Sequence, residues 1–517
     1  MPPATVHLSA QDQRFEHWRR TVGLFAGPAV FVIVWWLPLA SLEPRAHRLA
    51  AIASLVVTWW VTEPVPIPAT ALVGAALMVV SGVAPAQAVF APFASPTIFL
   101  FIGSFMIAEA LAVHGLDRRV AARLLAVAWV GRSPLRVRLA FGMLAGGLSM
   151  WMSNTATAAM LLPVAMGVLA GGTAGTTAKA SSGLLLTLAY ACSIGGVGTP
   201  VGTPPNLIAI GMLDTLTGQR IDFFRWMAVG VPVSLAMFLA LTVLARWLFP
   251  TGAARRAAAP AAPDALTAPA AGAQEPARSA GPASAAGPEP WTRAHTNCLV
   301  AFATAVVLWV VPGAVALLAG PSSSLYRLMS GRLDEGAVAI LAAGLLFVLP
   351  VDWRRREFTL HWSQAARIDW GTVLLFGGGL ALGHQMFDTG LAARIGHGLV
   401  QASGASSLWT VTTVMTIVAV LTTEVTSNTA ATNMLVPVAV AVAQAAGVSA
   451  VPPAMGVAFG ASLAYMLPIS TPPNAIVYGT GRVPITDMIR CGLLLDVLSV
   501  AAVLVALRVL CPLLGLT

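Results

Sequence analysis

Charge is what this chain has least of: Asp, Glu, Lys and Arg together make up 9% of 517 residues, where a soluble domain carries about a quarter. So few charges cannot build a water-facing shell, and an ordinary soluble globule is excluded. With 57% hydrophobic residues and a mean hydropathy of +0.81, the chain is expected to be a polytopic membrane protein. Cysteine is equally sparse. Cys192, Cys298, Cys491 and Cys511 lie far apart in or near apolar segments, which excludes a disulfide framework and a metal cluster. Lysine occurs only at Lys179, against abundant Arg, Ala, Gly and Pro, a composition that points to a GC-rich bacterial genome and so to an inner (plasma) membrane. No Walker motif, HExxH or intramembrane Ser-His pair is visible, so nucleotide-driven pumping is disfavoured and the chain is read as not an enzyme. The net charge of +9 comes without zinc-finger spacing or a basic helix, and no nucleic-acid partner is expected.

What is present is a series of apolar runs. Segments long enough to cross about 30 Å of hydrocarbon fall at roughly 21–40, 46–61, 67–83, 96–114, 181–210, 226–249, 297–320, 335–350, 371–388, 454–479 and 491–511, about 11 crossings in all. Two further stretches, 136–168 and 408–441, each hold a Ser-Asn-Thr cluster at mid-length. A continuous spanning helix has little use for such a cluster. A re-entrant hairpin that enters and leaves on one side can bury it at its tip. The expected fold is therefore all-α, with about 11 transmembrane helices and two re-entrant hairpins.

Residues 1–20 carry Arg14, Glu16, Arg19 and Arg20 like a charged leader, but the following span lacks a good small-residue cleavage pattern and is expected to be a retained first helix. With the N-terminus cytoplasmic and the C-terminus outside, this topology places most of the basic residues in inside segments, as short cytoplasmic loops require. Between 251 and 292 the chain turns to Ala, Pro and Gly with few large apolar side chains. That segment is expected to be a flexible cytoplasmic linker between a first half, 21–250, and a second half, 293–517.

The halves resemble each other in three ordered blocks. Phe101 to Gly115 matches Phe376 to Gly390 weakly. Ser153 to Pro163 (SNTATAAMLLP) matches Ser427 to Pro437 (SNTAATNMLVP) strongly, and Thr203 to Asn206 (TPPN) is identical to Thr471 to Asn474. In the expected topology the first hairpin opens to the cytoplasm and the second to the outside, so the repeats are inverted, as in many secondary transporters with one midplane site.

The clusters are chemically neutral. Ser153, Asn154 and Thr155 offer hydroxyls and an amide beside backbone groups freed by an interrupted helix. Carbonyl and side-chain oxygens can replace water around a small cation, while N–H groups and positive helix ends can face an anion. Ser427, Asn428 and Thr429 repeat the offer from the other half, and two such tips meeting would suit an anion charged at both ends. The Gly195–Gly198 to Asn206 and Leu467 to Asn474 strings carry consecutive prolines that break the helix, which predicts two broken helices, within 181–210 and 454–479, with exposed carbonyls.

The paired SNT clusters followed by TPPN resemble the divalent anion:sodium symporter family (DASS), whose members include sodium-coupled dicarboxylate, citrate and sulfate carriers and some dicarboxylate exchangers. The resemblance extends from about Val22 to Leu510. It implies a sodium site lined by Ser149, Ser153, Asn154 and Gly202 and a second by Thr423, Thr426, Asn428 and Ser470, so at least two sodium ions. It also implies that the substrate is met by Ser153, Asn154, Thr155, Ser427, Asn428 and Thr429, with Thr203 and Thr471 adjacent. A homodimer held by a scaffold part, with an elevator-like transport part, is implied as well. On this basis sodium-coupled symport of a C4-dicarboxylate such as succinate, malate or fumarate leads. Dicarboxylate or tricarboxylate exchange and sodium-coupled sulfate transport are the alternatives.

Intramembrane ionisable groups are functional candidates by default. For Glu424 both a place near the cation path and a structural place at the hairpin mouth stand. Glu109 and His384 lie inside expected spans, and Asp334, Glu335 and Asp369 are expected at membrane edges. Most Trp residues fall near span ends; Trp151, beside the first SNT, is a candidate cavity wall.

Overall fold

The computed structural model describes residues 10–39, 42–116, 119, 123, 133–171, 177–251, 291–320, 322–404 and 406–517. Nearly all of the 251–292 linker expected above lies outside them, as does the start of the N-terminal segment expected to be cytoplasmic.

Proline punctuates the helices from both sides. It starts Pro44–Thr62, Pro96–Val113, Pro134–Ser149, Pro204–Thr217 and Pro472–Tyr478, where its missing N–H costs nothing. Asp222, Asp334 and Asp369 cap Phe223–Leu248, Glu335–Val348 and Trp370–Asp388 by accepting first-turn N–H groups, which gives these acids a structural use at span ends. Among the described residues, five helices are long and apolar enough to cross a membrane: Ala86–Val113, counted through its short breaks, Ala178–Val197, Phe223–Leu248, Arg293–Ala319 and Ile485–Leu513. Ile67–Val80 and Glu335–Val348 are apolar but have 14 residues each, about 21 Å at 1.5 Å per residue. The only described strands, Pro350–Asp352 and Glu357–Phe358, form a small antiparallel ribbon.

Both polar-centred stretches fold as helical hairpins. The first is Pro134–Ser149 and Asn154–Ala170, the second Leu408–Thr423 and Asn428–Ala445. Both Pro-rich strings interrupt helices, giving Ala178–Val197 then Pro204–Thr217, and Val451–Ala461 then Pro472–Tyr478.

Packing follows the duplication. Ile67–Val80 of the first half lies on Trp370–Asp388 of the second, and Glu335–Val348 of the second lies on Pro96–Val113 of the first. Asn154–Ala170 packs against Pro472–Tyr478, and Asn428–Ala445 against Pro204–Thr217. Exchanging the halves leaves this pattern unchanged, so each hairpin is completed by the other half's broken helix. A large apolar core runs through both halves, and a smaller second one joins the early helices to Trp370–Asp388 and its neighbours.

Two local devices hold the first hairpin. Buried Arg138 donates to Ala245 O at 2.7 Å and Phe249 O at 2.8 Å, placing a cation on the last carbonyls of Phe223–Leu248. At Gly195 a Cβ would stand 2.1 Å from Gly146 O, so only glycine lets the hairpin and the broken helix cross this closely.

Candidate functional site

Each SNT cluster begins a helix. Ser153 and Ser427 are N-caps with nearly identical backbones, φ −56°, ψ 131° and φ −60°, ψ 135°, and neither side chain bonds its own helix. Free first-turn N–H groups, free hydroxyls and the positive helix end therefore collect at both tips. Asn follows, and its side chain closes the turn by the same five-residue step in both halves. Ser149 Oγ donates to Asn154 Oδ1 at 2.5 Å, and Thr423 Oγ1 lies 2.7 Å from both Asn428 Oδ1 and Ala461 O.

The broken helices meet the tips. A Cβ on Gly196 would lie 2.8 Å from Asn154 Oδ1 and 3.2 Å from Gly202 O, so Ser149, Asn154 and Gly202 bring oxygens to one place. The turn carbonyls are tied to the same segments: Thr199 Oγ1 donates to Met150 O, and Ser470 Oγ donates to Glu424 O at 2.9 Å. In the second half Thr423 and Asn428 are joined by the same step, Ser470 bonds the carbonyl of the intervening Glu424, and the Thr426 hydroxyl donates to Trp60 O at 3.1 Å while keeping its lone pairs. Ser153 and Thr155 are exposed, while Asn154, Ser427, Asn428 and Thr429 are half-buried. Thr203 and Thr471 are buried N-caps at the breaks.

Sequence reasoning passed over the last residue of each TPPN. Asn206 Nδ2 donates to Gly196 O at 2.9 Å and Thr199 O at 2.7 Å; Asn474 Nδ2 donates to Ala464 O at 2.9 Å and Leu467 O at 3.1 Å. The steps back along the chain, ten and seven residues, are the same in both halves. Each amide thus ties off carbonyls that the break strands, and the exact repetition of TPPN was the available signal. Asn206→Ala is expected to remove both bonds and to cost about 1–3 kcal/mol, read as a lower thermal unfolding midpoint in detergent; an unchanged midpoint would show that the amide does not hold the break.

Glu424 is structural in geometry and adjacent to the site in position. It is buried, its Oε1 accepts from Tyr465 N at 2.8 Å and Met466 N at 3.0 Å, and its Oε2 lies 2.8 Å from Ser470 Oγ, which shares its one hydrogen between this oxygen and the Glu424 carbonyl. His384 instead faces Asp388 at 3.3 Å on a partly exposed helix side, and Glu109 has no bond to the tips. Trp151 stacks at 6.3 Å on Phe223 and meets Phe302 edge-on at 5.1 Å, anchoring the first tip to Arg293–Ala319 of the second half. Asp496, which sequence inspection did not single out, is buried close to Glu424.

Comparison with known proteins gives the family. The model of the family described as "Sodium:sulfate symporter transmembrane region" matches residues 18–516. The sodium-dependent dicarboxylate transporter SdcS of Staphylococcus saprophyticus is 32% identical over 501 residues, covering 95% of this chain and 91% of that protein. SdcS of Staphylococcus aureus is 29% identical over the same shares. Among solved structures, the YdaH transporter of Alcanivorax borkumensis superposes with a TM-score of 0.51 at 14% identity, covering 82% of this chain and 86% of that one, a likeness of fold alone. With a family model matched over almost its whole length and paired SNT tips set in duplicated halves, the chain belongs to the sodium:sulfate symporter (DASS) family of membrane transporters, not to an enzyme family.

Proposed function

We propose that the protein is a sodium-coupled symporter of C4-dicarboxylates such as succinate, malate and fumarate. The observation that carries this reading is the pair of uncharged helix N-termini, each closed by a hydroxyl–asparagine bond and each walled by the other half's broken helix. The names of the SdcS relatives, sodium-dependent dicarboxylate transporters, support it.

The chemistry explains the coupling. None of the named site residues is Lys or Arg, so hydroxyls, amides and helix ends alone face a dianion, which is too little to offset its desolvation. Sodium supplies the missing charge. One ion is held by Ser149, Ser153, Asn154 and Gly202, the other by Thr423, Thr426, Asn428 and Ser470, partly through backbone oxygens. The carboxylates then take donors from Ser153, Asn154, Thr155, Ser427, Asn428 and Thr429, with Thr203 and Thr471 beside them. Two sodium ions and a dianion make a neutral load at these sites, which can cross a region of low dielectric.

Inverted halves give the site two exits. The hairpins and broken helices form a transport part that moves elevator-fashion against a scaffold of the early helices of each half, in a homodimer, in a bacterial inner membrane with the N-terminus cytoplasmic. The family description names sulfate, and neutral donors also suit a tetrahedral dianion, so sulfate is the second substrate. The deciding experiment is labelled succinate uptake into proteoliposomes with and without an inward sodium gradient, with citrate and sulfate as competitors. Sodium-driven uptake resisting sulfate is expected. Sodium-independent uptake that needs internal dicarboxylate would mark an exchanger instead.

A further inference from the structure

Away from the tips, charges of both signs gather where the two halves meet. The start of Phe223–Leu248 in the first half faces Arg293–Ala319, Ser324–Arg332 and Glu335–Val348 of the second around a cavity lined by Arg220, Asp222, Arg225, Tyr326 and Glu335. Leu308 and Pro312 give it an apolar wall.

The protein uses these charges only in part. Arg220 pairs with Asp334 at 2.7 Å, and Arg225 Nε reaches Asp222 at 3.5 Å. The terminal nitrogens of Arg225 make no hydrogen bond among the described residues. Glu335 Oε1 accepts from Phe223 N at 2.6 Å, while its Oε2 bonds nothing among the described residues. A guanidinium and a carboxylate oxygen thus stand open to one cavity.

The balance of signs excludes most ligands. Asp222 and Glu335 offset Arg220 and Arg225, and Asp334 adds a further carboxylate, so no excess positive charge draws a dianion in. The two guanidiniums equally oppose a bare metal cation. The lining suits one molecule that carries both signs, with an anionic group for Arg225 and a hydrogen-bonding ammonium for Glu335.

The surroundings narrow the class. Ser324–Arg332 exposes Leu325 and Leu328 beside Arg327, the composition of a short helix lying in the headgroup layer of a bilayer. Leu317 and Leu318, at the end of the neighbouring span, are exposed as well. The cavity therefore sits at headgroup depth with apolar surface beside it for acyl chains.

We propose that this cavity binds the headgroup of a phosphatidylethanolamine, its phosphate on Arg225 and its ammonium on Glu335 Oε2. A choline headgroup has no ammonium N–H to give the carboxylate, and a glycerol headgroup brings no positive charge to it. The site goes beyond the transport function proposed above and does not depend on it. It reaches the first tip through Phe223, whose amide Glu335 holds and whose ring stacks at 4.7 Å on Trp309 and at 6.3 Å on Trp151. A lipid seated here braces the seam between the halves.

The test is a lipid titration of the delipidated full chain in detergent, read as the unfolding midpoint. Phosphatidylethanolamine is expected to raise the wild-type midpoint more than phosphatidylcholine or phosphatidylglycerol with the same acyl chains. Arg225→Ala should raise the half-saturating phosphatidylethanolamine concentration at least about tenfold. Glu335→Gln keeps an oxygen for Phe223 N but sets an N–H where the ammonium would stand, so the preference for ethanolamine over choline should vanish; this variant bears on the site even where Arg225→Ala does not fold. Glycerophosphoethanolamine, the same headgroup without chains, should not stabilise the wild type at those concentrations. Equal effects of the three lipids, an unchanged half-saturation in Arg225→Ala, an ethanolamine preference that survives Glu335→Gln, or stabilisation by glycerophosphoethanolamine equal to that by the lipid would each overturn the site.

Discussion

Asn154→Ala and Asn428→Ala are each expected to lower the initial rate of substrate uptake by at least about 100-fold while leaving the protein inserted. Both asparagines stand at the first helical position of a tip and accept a bond from the residue five before them, Ser149 or Thr423. Alanine removes the side-chain oxygen assigned to an ion. It also leaves the buried Ser149 hydroxyl without this acceptor, a further cost of about 1–3 kcal/mol. Because the halves are equivalent here, the two variants should fail alike. Uptake should be normalised to the amount of inserted protein; a wild-type rate from either variant would contradict the site.

Gly195→Ala should have the largest effect on the fold. Its Cβ would meet Gly146 O at 2.1 Å and Gly146 Cα at 2.6 Å, backbone atoms that cannot rotate away, so the first hairpin and the broken helix must separate. Gly147 is the control, since a Cβ there meets nothing within 4 Å. Alanine at Gly147 adds helix propensity worth about 0.5–1 kcal/mol. Loss of folded protein and transport is expected for Gly195→Ala, with retention of both for Gly147→Ala. Equal yields and equal unfolding midpoints in detergent would show that the close crossing is not what holds the hairpin.

The parts of this architecture that depend on one short string were legible in the sequence. SNT and TPPN stand out because polar triplets and paired prolines are expensive inside apolar runs, and each stands where the chain leaves one helix and begins another. The expected hairpins, 136–168 and 408–441, differ by a few residues from the helices observed. The lengths of the apolar helices were less accessible. Ile67–Val80 ends at Ser81-Gly82 and Glu335–Val348 just before Pro350, while hydropathy runs on past such ends.

Contacts between distant elements were hidden altogether. Nothing in the neighbourhood of Thr426 announces that its hydroxyl turns to Trp60 O, and no local pattern ties Asp496 to a glutamate 72 positions earlier. Glu424 was visible as an intramembrane acid, but its role needed the backbone N–H groups of Tyr465 and Met466.

The claim that both SNT tips serve one pocket reached in turn from each side is open to a direct measurement. The native cysteines are all buried, so Ser153→Cys and Ser427→Cys can be labelled singly with a membrane-impermeant thiol reagent added from either face of oriented vesicles. Each position should react from both faces as the protein cycles, and sodium with succinate should protect both. Labelling of Ser153→Cys from one face only and of Ser427→Cys from the other only, with no protection by sodium and succinate, would contradict a shared pocket.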